Sequence, residues 1–349
     1  MVAPNIQADN LADLVAATLR DLGEMRITEI ATDLQDHVAM RVLLKRDRIQ
    51  LESGYGVQWD VMVTQSGAAK FVGLYASDSV NVGDVLVQAN APWRHSTTNY
   101  AFDEREIAMN RTPRRIVDLL KVRRIDGMVS MAELMENAFW SYPQSTDTLT
   151  PYGVFYWITK NATEGFNGGA NTGYTTVAGL NPTTYPRWQN WTYQYTSVSR
   201  DDLIRHWRQA ATKTYFRPPV DGIPTFNTGD KYGFYTNYAA LGQLEEAVES
   251  QNEDLGNDLA SKDGTTIFRR VPVTYVPKLD ADTTNPVLGI NWGVFKTYIL
   301  RGWWLKETKV SITPGQHTVA SVHVDSTLNW ICKDRRRNFV LATGTTYAA

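Results

Sequence analysis

The run Gly56-Val57-Gln58-Trp59-Asp60-Val61-Met62-Val63 alternates without a break. Val57, Trp59, Val61 and Val63 fall on one side, and Gln58, Asp60 and Met62 on the other, the period-two pattern of a half-buried strand. Thr64 to Ala69 reads as a turn. Phe71-Val72-Gly73-Leu74-Tyr75 then runs back, followed by Val80, Val82, Val85 and Val87. From Arg48 to Val87 this predicts one long two-stranded excursion, interrupted by Gly54, Gly56, Gly67, Gly73 and Gly83. A hairpin by itself is marginal in water. One this long needs a surface to lie on, either elsewhere in the chain or on another copy.

Outward from the hairpin the period changes. Upstream, Asp9 or Asn10 caps a helix with Leu11, Leu14, Val15, Leu19 and Leu22 on one face and Gly23 at its end. Ile27 to Lys45 mixes helical and irregular signals. Downstream, Thr112-Pro113 starts a helix whose apolar positions run from Ile116 to Phe139, and Pro143 stops it. About 30 residues at 1.5 Å each make it ~45 Å long, with Gly127 as a place to bend. Tyr152 to Val198 is rich in Asn, Gly, Thr, Tyr and Trp and reads as an elaborate loop region with short strands. Ser199-Arg200-Asp201-Asp202 resembles a capping box and opens a helix through Leu203, Trp207 and Ala211. A strand from Lys231 to Thr236 and a helix with Leu241, Leu244 and Val248 follow. Phe268 to Pro277 is a strand whose prolines place it at an edge or bulge. Near the C-terminus, Val322, Val324, Leu328, Trp330 and Cys332 alternate with polar residues, before Arg335-Arg336-Arg337 and Phe339-Val340-Leu341.

Composition excludes several classes. With 349 residues, 43% hydrophobic and 21% charged, the chain suits an ordinary folded protein with room for two domains. A net charge of −2 gives no bulk attraction to nucleic acid or anionic membrane. Cys332 is the single cysteine, so no intrachain disulfide and no Cys-rich zinc site exists. No apolar run reaches the roughly 20 residues of a membrane span, and the N-terminus does not read as a signal peptide. The expected product is soluble and made in a reducing cytoplasm. The 11 Trp and 17 Tyr suit either interfaces or a large core.

Chemistry is sparse. His37, His95, His206, His317 and His323 form no recognised metal or catalytic motif. Asp280, Asp282 and Asn285 lack the spacing of an EF-hand and read as a solvated loop. No cofactor and no enzymatic activity are expected. Arg335, Arg336 and Arg337 are candidates for phosphate contact, against the plainer reading of a salt-bridged strand end.

The serial order of these elements resembles the tailed-phage major capsid proteins of the Hong Kong 97-type fold. In that family a helix leads to a strand-then-helix unit, as Ser199–Tyr215 leads here to Tyr232–Glu249. An apolar-x-Pro-Val strand follows, matched by Arg270-Val271-Pro272-Val273. Next comes a Gly-bearing strand near Asn and an aromatic, matched by Val287-Leu288-Gly289-Ile290-Asn291-Trp292. The family closes on a long strand ending in Arg, matched by Leu328 to Arg337.

The resemblance implies an α+β fold: an N-terminal arm (1–45), an extended β-hairpin or E-loop with its base (46–98) and a peripheral domain with a spine helix (99–150). An axial domain (151–300, with the elaborated region 151–198) and closing strands of the peripheral domain (301–349) follow. It implies a virion subunit that self-assembles into hexamers and pentamers around double-stranded DNA without reading its sequence, and no membrane. A separate scaffolding protein, a portal and decoration proteins are the implied partners. Trp59, Phe71, Lys70 and Arg114 become candidate intersubunit contacts. The hairpin's apolar face, with Trp59 and Phe71, is expected to be covered by an adjacent subunit, so that Trp59→Asp leaves the monomer folded. Some members crosslink a hairpin Lys to a neighbour's Asn; Lys70 lies near the turn, but no motif for its partner is present. The competing reading is a carbohydrate-binding, β-rich tail or adhesin protein, suggested by the Trp and Tyr content; the long helix speaks against it.

Overall fold

A computed structural model describes residues 37–65, 69–74, 85–109, 113–214, 232–253, 266–269, 271–312, 315 and 318–347. The helix expected near Leu11 to Leu22, His317 and the Arg270 backbone lie outside these residues. The described chain begins with helix α1 (Val38–Leu43), strand β1 (Ile49–Glu52), and the antiparallel pair β2 (Gly56–Met62) and β3 (Leu86–Pro92). Next come β4 (Arg94–Asp103), α2 (Glu104–Met109) and α3 (Pro113–Trp140). The 28 residues of α3 span ~42 Å, as its spacing predicted. The long hairpin is shorter than expected at its base. β1 leaves it to pair in parallel with another strand, and Met62 stands opposite Leu86, so Phe71 to Gly73 is not part of the returning strand.

The second half carries α4 (Val154–Trp157), β5 (Gly165–Gly168), β6 (Asn190–Gln194), a π-turn at Arg200–Ile204 leading into α5 (Arg205–Thr214), β7 (Tyr232–Thr236) and α6 (Tyr238–Glu253). Strands β8 (Ile267–Phe268), β9 (Val271–Tyr275), β10 (Val287–Asn291), β11 (Phe295–Leu300), β12 (Lys306–Glu307), β13 (Ser311–Ile312), β14 (Val319–Cys332) and β15 (Phe339–Ala342) complete it.

Two sheets divide these strands. In the first, β14 is the spine: β4 runs antiparallel beside it from Val319–Asp103 to Leu328–Arg94, while β11, β12 and β13 also pair with it and β1 extends β11. Helix α3 packs along β4. The second sheet has the order β5-β6-β15-β10-β7-β9-β8. Pro272, which donates no ladder hydrogen bond, lies in β9 between β7 and the two-residue edge strand β8, the marginal position its ring requires.

The second sheet is buried on both faces. In β10, Val287 belongs to one core and Leu288 and Ile290 to the other; in β15, Phe339 and Leu341 face the first and Val340 the second. That is why these strands read as apolar runs rather than alternations. The smaller core holds Trp207, Phe234, Leu203 and Phe339 under α5 and α6. The larger one joins the end of α3 to both sheets and to the 151–198 region. Gly289 is required where the sheet meets Phe339, because a side chain there would overlap the phenyl ring.

The single long closing strand expected from Leu328 to Arg337 is divided. β14 ends at Cys332, Arg335–Arg337 form a short 3-10 turn, and β15 joins the other sheet. The chain thus crosses between sheets at 292–294 and again at 333–338.

Ser199 caps the π-turn as expected, its Oγ accepting from the Asp202 N–H at 3.2 Å. Asp202 does more: its carboxylate accepts from the backbone N–H of Thr196 (2.7 Å) and Ser197 (2.9 Å) and from the Tyr193 hydroxyl (2.8 Å). Partial burial raises the carboxyl pKa, but these donors outweigh it and hold it at about 2, below the ordinary 3.8. The stabilisation is therefore complete above pH ~4 and lost as pH falls through ~2. Asp202→Asn should cost roughly 1–2 kcal/mol at pH 7 and almost nothing near pH 2, as urea unfolding across that range will measure.

Candidate assembly surface

The β2–β3 hairpin is fastened at its root. Gly54, at φ +124°, turns the chain so that its carbonyl receives the Trp93 indole N–H at 2.8 Å. The Asn90 N–H donates to the Ala178 carbonyl at 3.0 Å, and the Asn329 amide donates to the Pro92 carbonyl at 2.8 Å. Alternation then sorts the side chains. Val57, Val63, Ala89 and Ala91 are buried in the larger core, and Trp59, Val61 and Val87 are half-buried against it. The Trp59 ring lies 6.3 Å from that of Trp157.

This corrects the expectation for Trp59. The apolar face of the hairpin is covered by the chain's own 152–180 region, whose aromatic residues supply the surface that a lone hairpin lacks. Gln58, Asp60, Gln88 and Asn90 form the outer face, and at its distal end Met62 faces Leu86 with both side chains more than half exposed. The sequence pattern placed Met62 in the polar register and so passed over this apolar pair.

Beyond the strands the exposure is greater. Phe71 is 110% exposed, Leu74 87% and Val72 62%, the surface of side chains with nothing packed upon them. Lys70 is beside them and also exposed. Of the four candidate contacts, Lys70 and Phe71 share this tip, Trp59 belongs to the root, and Arg114 lies in the first turn of α3. Exposed apolar residues side by side in the chain are the kind of surface that another molecule covers.

The arginine run lies elsewhere, and its expected phosphate contact fails at two of three positions. Arg335 is fully buried, donating to the carbonyls of Trp157 (2.7 Å), Trp188 (2.8 Å) and Gly169 (2.8 Å) and to Thr159 Oγ1 (2.8 Å). Burial pulls its pKa down to about 10. A guanidinium whose donors are already spent on protein oxygens has nothing left for phosphate. Arg337 is 3% exposed, its Nε 3.5 Å from the Asp334 carboxylate. Only Arg336, whose side chain is one-third exposed and also close to Asp334, faces outward.

The three loop residues once weighed as calcium ligands are spoken for individually. Asp280 accepts from the Tyr238 N–H (2.9 Å) and the Tyr275 hydroxyl, and Asn285 from the Asn237 amide (2.7 Å). Asp282 pairs with Lys160, a contact no sequence pattern announced, the two residues being far apart in the chain. The Lys160 ammonium also donates to Thr284 Oγ1 (2.7 Å) and the Thr346 carbonyl (3.0 Å), which fastens the C-terminal segment. Burial lowers the Lys160 pKa, against the opposing pull of Asp282. Among the described residues no group of three or more His, Cys, Asp or Glu side chains is placed to hold a metal ion. No helix among them is long and apolar enough to cross a membrane.

No family model and no curated protein matches this sequence. Solved structures do match. A chain of the cyanophage A-1(L) capsid asymmetric unit superimposes with a TM-score of 0.59 at 14% identity, over 93% of this chain and 98% of that one. The capsid of the native GTA particle gives 0.54 at 11% identity, over 94% and 96%. A chain from Gordonia phage Cozz gives 0.50 at 12% identity, over 98% of each.

Two substitutions separate these roles. Trp59→Asp should destabilise the subunit itself by roughly 2 kcal/mol or more, since it puts a carboxylate against Trp157. Arg335→Met should cost roughly 2–4 kcal/mol by stranding the buried carbonyls of Trp157 and Trp188. Urea unfolding followed by circular dichroism measures both. Across nearly its whole length, then, this α+β chain has the fold of phage capsid proteins.

Proposed function

We propose that the chain is the major capsid subunit of a tailed bacteriophage, a structural protein of the virion. The supporting observation is reciprocal coverage: the cyanophage capsid chain and this one match over 93% or more of both, with no domain of either left over. In this reading β2–β3 and its tip are the E-loop, α3 is the spine helix of a peripheral domain formed with the first sheet, and the second sheet belongs to an axial domain. Residues 1–45 form the arm. Subunits assemble as hexamers and pentamers into an icosahedral shell that encloses double-stranded DNA without sequence-specific contact. Assembly uses a separate scaffolding protein, a portal and decoration proteins, and the subunit is made in the bacterial cytoplasm. No catalytic step and no cofactor enter this function.

The exposed apolar residues Phe71, Val72 and Leu74 support the reading from within the chain, because in an assembly a neighbour can cover them. The carbohydrate-binding alternative gains no support. It requires a group of aromatic faces open to solvent, whereas the exposed aromatics Tyr55, Tyr238 and Trp303 belong to different elements of the chain.

Purified full-length chain, examined by sedimentation and negative-stain electron microscopy, should form shells, sheets or tubes. A stable monomer at every salt and protein concentration overturns the proposal.

A further inference from the structure

Strands β1, β11 and β14 lie side by side in the first sheet, and their register places three cations on one face. Ile49 pairs with Thr297, so the preceding Arg48 stands beside Lys296. The Arg48 carbonyl accepts from the Thr297 N–H at 3.2 Å. Across the next ladder Lys296 faces Ile331. Lys333, two residues further on, continues that ladder by donating its N–H to the Val294 carbonyl at 3.0 Å. Side chains two apart on a strand, or opposite each other in a ladder, share a face. At two strand spacings the row runs ~10 Å across the sheet.

The compensation of these charges is thin. The Arg48 side chain is 8% exposed, yet its Nε has no hydrogen-bond partner among the described residues. The Asp47 carboxylate stands 3.6 Å away, beyond hydrogen-bond reach, and is itself largely in solvent. A nearly buried guanidinium in this state favours an anion brought from outside. Burial lowers the Lys296 pKa, and the neighbouring Lys333 and Arg48 lower it further, against the pull of Asp47. Burial also lowers the pKa of Lys333, whose ammonium lies 5.6 Å from the Tyr298 ring, against the pull of Glu52. Both lysines keep part of their surface in solvent. Asp334, next to Lys333, is engaged by Arg336 and Arg337. The turn into β1 adds the exposed side chains of Lys45 and Arg46.

We infer that Arg48, Lys296 and Lys333 form a site for the phosphate groups of a nucleic-acid backbone, a step that rests on the capsid reading above for the source of its ligand. A row of cations matches a polyanion that repeats its charge, whereas a single carboxylate would answer one of them. With a net charge of −2 the chain has no bulk attraction to nucleic acid, so contact depends on a local cluster. Arg335 and Arg337 are turned inward onto the chain's own oxygens, while Lys333, just ahead of them, stays partly open. Backbone contacts carry no sequence information, in keeping with DNA enclosed without sequence-specific contact.

Full-length chain, kept below the concentration at which it assembles, is titrated against a short fluorescently labelled DNA duplex, with anisotropy as the readout. Lys296→Gln with Lys333→Gln should weaken binding roughly tenfold or more and reduce the slope of log affinity against log salt by about two. Lys296→Arg with Lys333→Arg should bind like the wild type. Arg208→Gln with Lys213→Gln, two exposed positions on α5, should leave binding unchanged. Wild-type chain that does not bind the duplex overturns the site, and so does a control pair that weakens binding equally. Inorganic phosphate that competes as well as duplex phosphate, mole for mole, overturns the nucleic-acid assignment in favour of a free anion. A polyglutamate peptide that binds where the duplex does not overturns it in favour of an acidic protein segment. The same preparations are then concentrated and viewed by electron microscopy. Particles from chain that fails to bind duplex overturn the site and leave the capsid reading standing. Duplex binding through these lysines by a chain that never self-associates overturns the capsid reading and leaves the site.

Discussion

A guanidinium cut off from water sits where the chain crosses from β14 to β15, and much of the second half is arranged around it. Arg335 has no carboxylate partner among its contacts. Its charge is balanced by carbonyl dipoles from Trp157, Gly169 and Trp188 and by the Thr159 hydroxyl. A buried ion is tolerated only when its donors are satisfied with good geometry, so these acceptors must all be held in place together. They come from segments that have little regular structure of their own. Asn190 completes the arrangement: its side-chain amide exchanges hydrogen bonds with both backbone groups of Thr159 at 3.0 Å, like an extra strand pairing. One cation therefore organises a region that hydrogen-bonded ladders do not.

This region in turn supplies the floor for the hairpin. The Trp157 carbonyl accepts from Arg335, its indole N–H donates to the Trp330 carbonyl at 3.0 Å, and its ring faces Trp59. The Tyr156 hydroxyl accepts from the Ala178 N–H at 2.9 Å, and the Ala178 carbonyl accepts from Asn90 of β3. Residues 152–180 are thus neither a decoration nor a solvent loop, but a layer between the sheets and the β2–β3 hairpin.

These links explain what was legible in the sequence. The helix from Pro113 and the strand from Val319 to Cys332 carry their periods plainly, although in the strand the polar positions Ser326, Thr327 and Asn329 are buried like the apolar ones. The alternation around Trp59 correctly showed that one face is buried. It held no information on what buries it, and the aromatic layer that does so lies a hundred residues away. Arg335 was misread for a related reason: three consecutive arginines look alike in sequence, yet a 3-10 turn sends neighbouring side chains in different directions, one into the core and one toward solvent. Tyr152 to Val198 showed no long period because, outside the short strands β5 and β6, side chain–backbone bonds hold it.

The division between a fixed root and an open tip has a mechanical consequence. The seven residues of β2 extend ~23 Å at the usual strand rise, and Phe71 lies beyond them. A hairpin anchored by three hydrogen bonds and a half-buried indole turns small changes at the root into larger displacements at the tip. The shell proposed above would need such latitude, because identical subunits meet at slightly different angles in it. It also needs a limit on it, since an unanchored tip would find any apolar surface. The packing of Trp59 on Trp157 sets that limit. The aromatic contact that seemed a candidate for joining subunits instead anchors the hairpin from inside one chain.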